Sequence, residues 1–449
     1  MSNLTADSPP TVTLPTVRSL RSNVQWTLLG YFAYGVCQWL MLIVVARMGL
    51  PEMVGQFALA MAVTTPIILL LGLDLRTVQA TDQSNHYPFE DFFILRIATL
   101  SLAMIVIMGF AAWSGYKSET SLLIFVMGVA KCIEAMSDLC HGTLQQHERL
   151  DQMSKSRMLR GALSVVVLAG GLYASGSLLI ATISLAVMWG IFLVVYDWPI
   201  TSQLLRSTGQ SVNLLRFRPR RVWALLVPAI PTGILNCQSS LEQTLPRLCV
   251  DGYLGERELG MYSAVSSLII ASTMVINAVH CAVLPRIARH LTNNQWKQTW
   301  GMLLKLSLFG GLIGAAGMAV VHFCGNLLLG VAFGAEYASQ SPLLVVLMAG
   351  AMVRYSTLSF STGFRAARKF WLLSILQTIS LLVSVPVLML LVRTHGGMGA
   401  AFSSVALALL IAVIQIPAAI CLLRRPSDPR QSDCPVLELP AETEMRGAA

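Results

Sequence analysis

Charge is what this chain of 449 residues has least of. Asp, Glu, Lys and Arg make up 12% of it, against 55% apolar residues. Ordinary soluble domains carry about twice that charged fraction, so a water-surrounded globule is excluded and the mean hydropathy of +0.67 reads as that of a membrane protein. Paired cysteines are lacking too. Cys37, Cys132, Cys140, Cys237, Cys249, Cys281, Cys324, Cys421 and Cys434 stand singly, mostly in apolar runs, with no CxxC and no His-rich spacing. They read as small hydrophobes, not as a disulfide or metal framework. No phosphate-cradling GxxxxGK[ST], HExxH or DxD-type pattern occurs, so the chain offers no ATPase site of its own, no catalytic residue and no metal site. The first residues, MSNLTADSPPTVTLPTVRSLRSN, contain no short apolar core with a small-residue cleavage site and do not read as a signal peptide.

What the chain does have is apolar runs of about 20 residues, each long enough to cross about 30 Å of hydrocarbon, and about twelve of them. They fall at roughly 24–46, 53–73, 92–113, 121–140, 158–175, 178–198, 222–245, 261–283, 301–332, 340–362, 370–392 and 398–423. The ninth is too long for one straight crossing and predicts either tilt or an added turn outside the membrane. Lys and Arg in alternate connections set the orientation, because positively charged loops stay on the cytoplasmic side. One set holds Arg18, Arg21, Arg76, Arg149, Lys155, Arg157, Arg160 and the basic stretch from Arg206 to Arg221. It continues with Arg286, Arg289, Lys297, Arg365, Arg368, Lys369 and the C-terminal arginines. The other holds only Arg47, Lys117, Arg247, Arg257 and Arg393. The ratio of roughly four to one predicts an even number of spans with both termini in the cytoplasm. In that orientation LGLDLRTVQATD, at the inner end of the second span, faces the cytoplasm, and Arg76 reads as a retention signal near lipid phosphates. The net charge of +9 arises from many short loops, so no nucleic-acid partner is needed to explain it.

The longest internal connection, TSQLLRSTGQSVNLLRFRPRR, separates six spans from six. The expected organisation is a cytoplasmic tail 1–23, an N-terminal lobe 24–200, a basic linker 201–221, a C-terminal lobe 222–423 and a disordered tail 424–449. MGLPEMVGQFALAMAV after the first span is echoed by YLGERELGMYSAVSSL after the seventh, pairing Gly55 and Phe57 with Gly260 and Tyr262. Six spans per half make the repeats parallel, two lobes related by an axis normal to the membrane and able to rock around a central cavity. The fold class is therefore an all-α integral membrane protein, with about twelve helices in two pseudo-symmetric six-helix lobes.

The order of ARMGLPEMVGQFALAMAV, LGLDLRTVQATD, LPRLCVDGYLGERELGMYSAVSSLI, AVLPRIAR, VAFGAEYAS and GGMGAAFSS across residues 20–423 resembles the polysaccharide flippases of bacterial envelopes. These are the O-antigen, capsule and exopolysaccharide exporters, in the superfamily that also holds the MATE drug exporters and the lipid II flippases. The resemblance implies a lipid-linked oligosaccharide on undecaprenyl diphosphate, moved from the inner to the outer leaflet of the bacterial inner membrane by alternating access. It also implies polysaccharide-assembly proteins as partners, besides membrane lipids, and no cofactor beyond a coupling ion, proton or sodium.

A diphosphate crossing hydrocarbon needs fixed positive charge, so ionisable residues within the spans are the candidates. Lys131, Glu134 and Asp138 lie at i, i+3 and i+7, on one face of span four. They either face the cavity or form an internal Lys131 to Glu134 pair. Arg354, deep in span ten, either holds phosphate or pairs with an acid on another helix, Glu242 of span seven being one choice. Glu242 either binds a driving ion, as Glu134 and Asp138 also could, or partners Arg247. Arg96 and Lys305 read first as interfacial anchors, with Arg96 also placed to meet substrate at the inner mouth. Arg47 and Arg247, at matching outer ends, either hold diphosphate or anchor the outer leaflet. A MATE-type exporter is the alternative, disfavoured by basic residues at the deep positions. A membrane polymerase is the further alternative, disfavoured by the short outer loops.

Overall fold

In the computed structural model, residues 20–81, 87–208, 219–367 and 369–423 are described. The tails, residues 82–86, the linker segment 209–218 and Arg368 lie outside the described residues. The described chain is all helix apart from short turns. The elements are α1 (Leu20–Met48), α2 (Pro51–Gly72), α3 (Leu75–Thr81), α4 (Phe89–Trp113), α5 (Ser118–Gln146), α6 (Leu150–Ser175) and α7 (Leu178–Phe192). A π-helical turn, Leu193–Asp197, joins α7 to α8 (Trp198–Ser207). The second half holds α9 (Pro219–Leu254), α10 (Glu256–Thr292), α11 (Trp296–Phe333), α12 (Ala335–Ala338), α13 (Ser341–Ala366) and α14 (Phe370–Leu423).

Among the described residues eight helices are long and apolar enough to cross a membrane, or nine if the bent α9 counts as one span. One of them, Phe370–Cys421, is two helices. It reverses at Gly396, whose φ of 60° and ψ of −139° lie outside the helical region. A Cβ on Gly399 would sit 1.9 Å from the Leu391 carbonyl oxygen. In a straight helix eight residues span about 12 Å, so the chain doubles back between the eleventh and twelfth expected spans. Taking α7 with α8, and the two arms of α14 separately, the long helices number about twelve, in agreement with the hydropathy reading. The expected ninth span is the unbroken helix α11 of 38 residues, with no extra turn inside it. At 1.5 Å per residue it is about 57 Å long and overhangs any hydrocarbon layer.

The two halves pair their helices in the same order. In the first, α1 packs on α6, α2 on α5, and α5 on α4 and α7; in the second, α9 packs on α14, α10 on α13, and α13 on α11 and α14. The lobes meet where α2 crosses α10. There the repeat glycines make the closest approach in the interface. A Cβ on Gly55 would lie 1.8 Å from the Glu256 carbonyl oxygen, and one on Gly260 would lie 2.0 Å from that of Pro51. Only hydrogen fits at either place, so the sequence echo is the signature of the lobe crossing itself. Polar contacts surround it. Glu256 accepts from Gln56 Nε2 at 3.0 Å and from Thr120 Oγ1 at 2.8 Å, and Tyr116 donates to Asp251 at 2.6 Å. Arg257 meets Glu336 at 2.7 Å.

Candidate functional site

The stretch LGLDLRTVQATD contains a break in the helix. Leu73 and Asp74 both take left-handed φ angles, 54° and 47°. For a non-glycine residue this is strained, and such strain gathers at functional sites. The break removes the amide that would have capped the Gly72 carbonyl, and the guanidinium of Arg96 on α4 takes its place at 2.8 Å. Arg96 is thus buried and turned into the protein, which corrects its reading as a snorkelling anchor. Arg76, two residues beyond the break, lies 5.8 Å from the centre of the Tyr31 ring. Its side chain is half-buried and lines an inter-lobe cavity, which corrects its reading as a retention signal among lipid phosphates.

That cavity, of about 550 Å³, lies between α2, α3, α4 and α5 of one lobe and α9 of the other. Its cationic wall is Arg76, Arg96 and Arg247, and its carboxylates are Asp74 and Asp138. Asp138 is already engaged, by Arg157 at 3.1 Å and His141 at 3.4 Å. Arg247 makes no hydrogen bond or ion pair with any described residue. Glu242, its suggested partner, is occupied elsewhere: it pairs with Arg354 from α13, the cross-helix pair considered from the sequence.

A second cavity, of about 660 Å³, lies inside the C-terminal lobe among α9, α10, α13 and α14. The Glu242–Arg354 pair, Arg247, Arg365 and His280 are in its wall. Ser239, Gln243 and Arg247 line both cavities. Their spacing of four places them on one stripe of α9, so this stripe is the partition between the two spaces.

The remaining candidates go elsewhere. Lys131 pairs with Glu134 at 2.8 Å, and neither lines these two cavities. Glu134 faces α1 and α6, where it accepts from Tyr34 and lies 3.5 Å from Arg160. Of the i, i+3, i+7 set only Asp138 reaches the inter-lobe cavity. Arg47 donates to the carbonyls of Gly330, Val331 and Ala332 at the C-terminal end of α11, tying the two lobes together. This interaction suits a cation, since helix C-termini carry partial negative charge.

Arg157, Arg160, His141 and Asp197 escaped the sequence reading. Arg160 is 1% exposed, 5.4 Å from the Tyr34 ring and 5.8 Å from that of Trp189. His141 Nε2 lies 2.9 Å from Ser156 Oγ, which donates to Asp197 at 2.5 Å. The charge count had assigned both arginines to a loop, yet α6 already begins at Leu150. Ser154, Arg157, Gly161, Ser164 and Leu168, all buried, mark one face of that helix; this three-and-four spacing was the available signal.

Two six-helix lobes around a polar inter-lobe cavity define the fold class of the two-lobe membrane transporters. The chain belongs to the family described as "Polysaccharide biosynthesis protein", whose family model matches residues 20–291. It is 24% identical over 351 residues to the capsular polysaccharide biosynthesis protein CapF of Staphylococcus aureus, covering 78% of this chain and 86% of that protein. Among solved structures it is similar to the lipid II flippase MurJ in an inward closed conformation, with TM-score 0.70, 10% identity, and 88% and 87% of the two chains covered. It is also similar to an inward-facing MATE family multidrug transporter of the MOP superfamily, with TM-score 0.64, 15% identity, and 90% and 95% covered.

Proposed function

We propose that the protein is a flippase for an undecaprenyl-diphosphate-linked oligosaccharide, moved from the inner to the outer leaflet of the cytoplasmic membrane for polysaccharide assembly. The observation that carries this reading is the cationic wall of the inter-lobe cavity. Arg76, Arg96 and Arg247 come from three elements and both lobes, and Arg247 has no hydrogen-bond or ion-pair partner among the described residues. An unpaired guanidinium within a membrane protein is costly unless a ligand supplies the anion, and guanidinium forks match phosphate oxygens. A cationic cargo would meet repulsion at the same wall. Membership of a polysaccharide biosynthesis family supports the glycan part of the cargo.

In the proposed cycle the Arg76 end faces the cytoplasm, as do both termini. The head group enters the inter-lobe cavity while the Gly55–Gly260 crossing holds the outer end shut, and the polyprenyl tail stays in lipid. The lobes then rock, parting at the crossing and closing around α3. The chain has no nucleotide-binding loop, so the drive is a coupling ion, proton or sodium, or consumption of the glycan outside. Glu242, Asp138 and Asp74 are the carboxylates in contact with the cavities. Glu134 takes part only through the buried network.

Deletion of the gene, followed by analysis of lipid-linked sugars and surface polysaccharide, tests the reading. Completed repeat units accumulating on undecaprenyl diphosphate in the inner leaflet, with loss of surface glycan, are expected. Unchanged lipid-linked sugars with altered sensitivity to cationic drugs would replace the reading by an exporter. Single units collecting in the outer leaflet would point to a polymerase.

A further inference from the structure

The C-terminal-lobe cavity shares only Arg247 with the cationic wall of the inter-lobe cavity, and polar groups in its own wall are incompletely satisfied. Gln377 on α14 is 2% exposed, and its Oε1 has no hydrogen-bond partner among the described residues. On the facing helix α9, Glu242 gives one carboxylate oxygen to Arg354, and its Oε1 is likewise without a partner. Both residues line the cavity. Two buried acceptors lacking donors are costly, and both lack the same thing, a hydrogen to accept.

Position narrows what supplies it. In a lipid-linked oligosaccharide the first sugar is bonded directly to the diphosphate, so its subsite must adjoin the phosphate subsite. The partition is one stripe of α9, Ser239, Gln243 and Arg247, whose side chains are in the walls of both cavities. A head group held at Arg247 therefore has its next bonded group at the mouth of the C-terminal-lobe cavity. The volume of about 660 Å³ lies within the usual range for small-ligand sites. Sugar hydroxyls are the donors that fit: neutral, several per ring, and able to hydrogen-bond a carboxylate without breaking its pair with Arg354. A bare metal cation would compete directly with that guanidinium for Glu242.

We propose that the C-terminal-lobe cavity is the glycan subsite of the flippase, taking the sugars nearest the diphosphate, with Glu242 and Gln377 accepting from their hydroxyl groups. The assignment rests on the diphosphate reading of the inter-lobe cavity. Gln377 then selects glycan while Arg76 and Arg96 hold the part common to every carrier lipid.

Native mass spectrometry of the full chain tests this with two probes: undecaprenyl diphosphate without sugar, and the pool of lipid-linked oligosaccharides extracted from the producing cells. Gln377→Met preserves side-chain volume and removes the acceptor. It is expected to weaken the glycan-bearing probe by about 2- to 10-fold, the range of one neutral hydrogen bond, with the bare diphosphate bound as before. Retained diphosphate binding also shows that the variant folds. Gln377→Asn, which withdraws the amide by one methylene, is expected to act the same way more weakly. Equal loss of both probes in both variants, or no loss of the glycan-bearing probe, overturns the subsite. Arg96→Ala is expected to weaken both probes alike. If it weakens neither, the diphosphate reading fails, separately from the glycan assignment.

Discussion

The network packed among α1, α5 and α6 and the walls of the two cavities treat their charges in opposite ways. Among α1, α5 and α6 charge is answered by charge: Lys131 by Glu134, Glu134 also by Arg160, and Asp138 by Arg157 and His141. In the cavity walls Glu242 pairs with Arg354 across helices, Arg96 bonds a backbone carbonyl, and Arg247 has no ion-pair partner among the described residues. Away from water a charge must find its complement inside the protein or in a ligand. The satisfied network is built as scaffold, and the cavity walls keep bonding capacity for a ligand. The same contrast explains why the cluster most conspicuous in the sequence, Lys131 with Glu134, lies apart from both cavities.

Breaking the scaffold should cost most. Arg160→Leu leaves Glu134 with less compensation in the core, and the expected loss is about 3–5 kcal/mol of stability, read as a large drop in melting temperature and in membrane-inserted protein. An unchanged melting temperature would show that the network is not structural. Arg247→Ala should do the reverse, leaving the melting temperature near that of the parent. It should weaken undecaprenyl diphosphate binding by about 10- to 100-fold, as expected for a lost charge-assisted contact of about 1.5–3 kcal/mol. If it destabilises the protein and leaves binding intact, the contrast between the paired network and the cavity walls collapses.

Next in size comes the crossing where the lobes touch. Gly55→Leu drives a side chain into the Glu256 backbone, and overpacking costs about 1–3 kcal/mol. The population with that end closed should fall by about 5- to 150-fold, measured as increased spin-label separation between α2 and α10. The smallest effect belongs to Arg257→Ala. This arginine is exposed, its pairs with Glu336 and Glu52 are solvent-screened, and no change in melting temperature is expected.

How much of this was legible beforehand varies with the kind of signal. Helix number and the two-fold repeat were readable because they rest on long hydrophobic runs and on one short echo. Gly55 and Gly260 proved to be a contact and not only a resemblance. The Gly396 reversal was readable as a gap between spans. Arg157 and Arg160 were misplaced because a charge count treats a basic residue near the end of a span as loop, and α6 is longer at its start than its apolar run. Arg76 and Arg96 were taken for lipid-facing anchors because hydropathy cannot tell the inside of a bundle from its outside. Burial and the broken turn at Leu73 and Asp74 distinguish them.

By itself the sequence determined that this is a multi-pass helical protein of two equivalent halves, because hydrocarbon demands long apolar helices and duplication leaves its pattern in the chain. Only the tertiary structure decided which charges are spent on one another and which remain for a ligand. Pairing depends on distances between helices far apart in the chain: Glu242 and Arg354 meet across more than a hundred residues, while Arg247, close to Glu242 in sequence, has no ion-pair partner among the described residues.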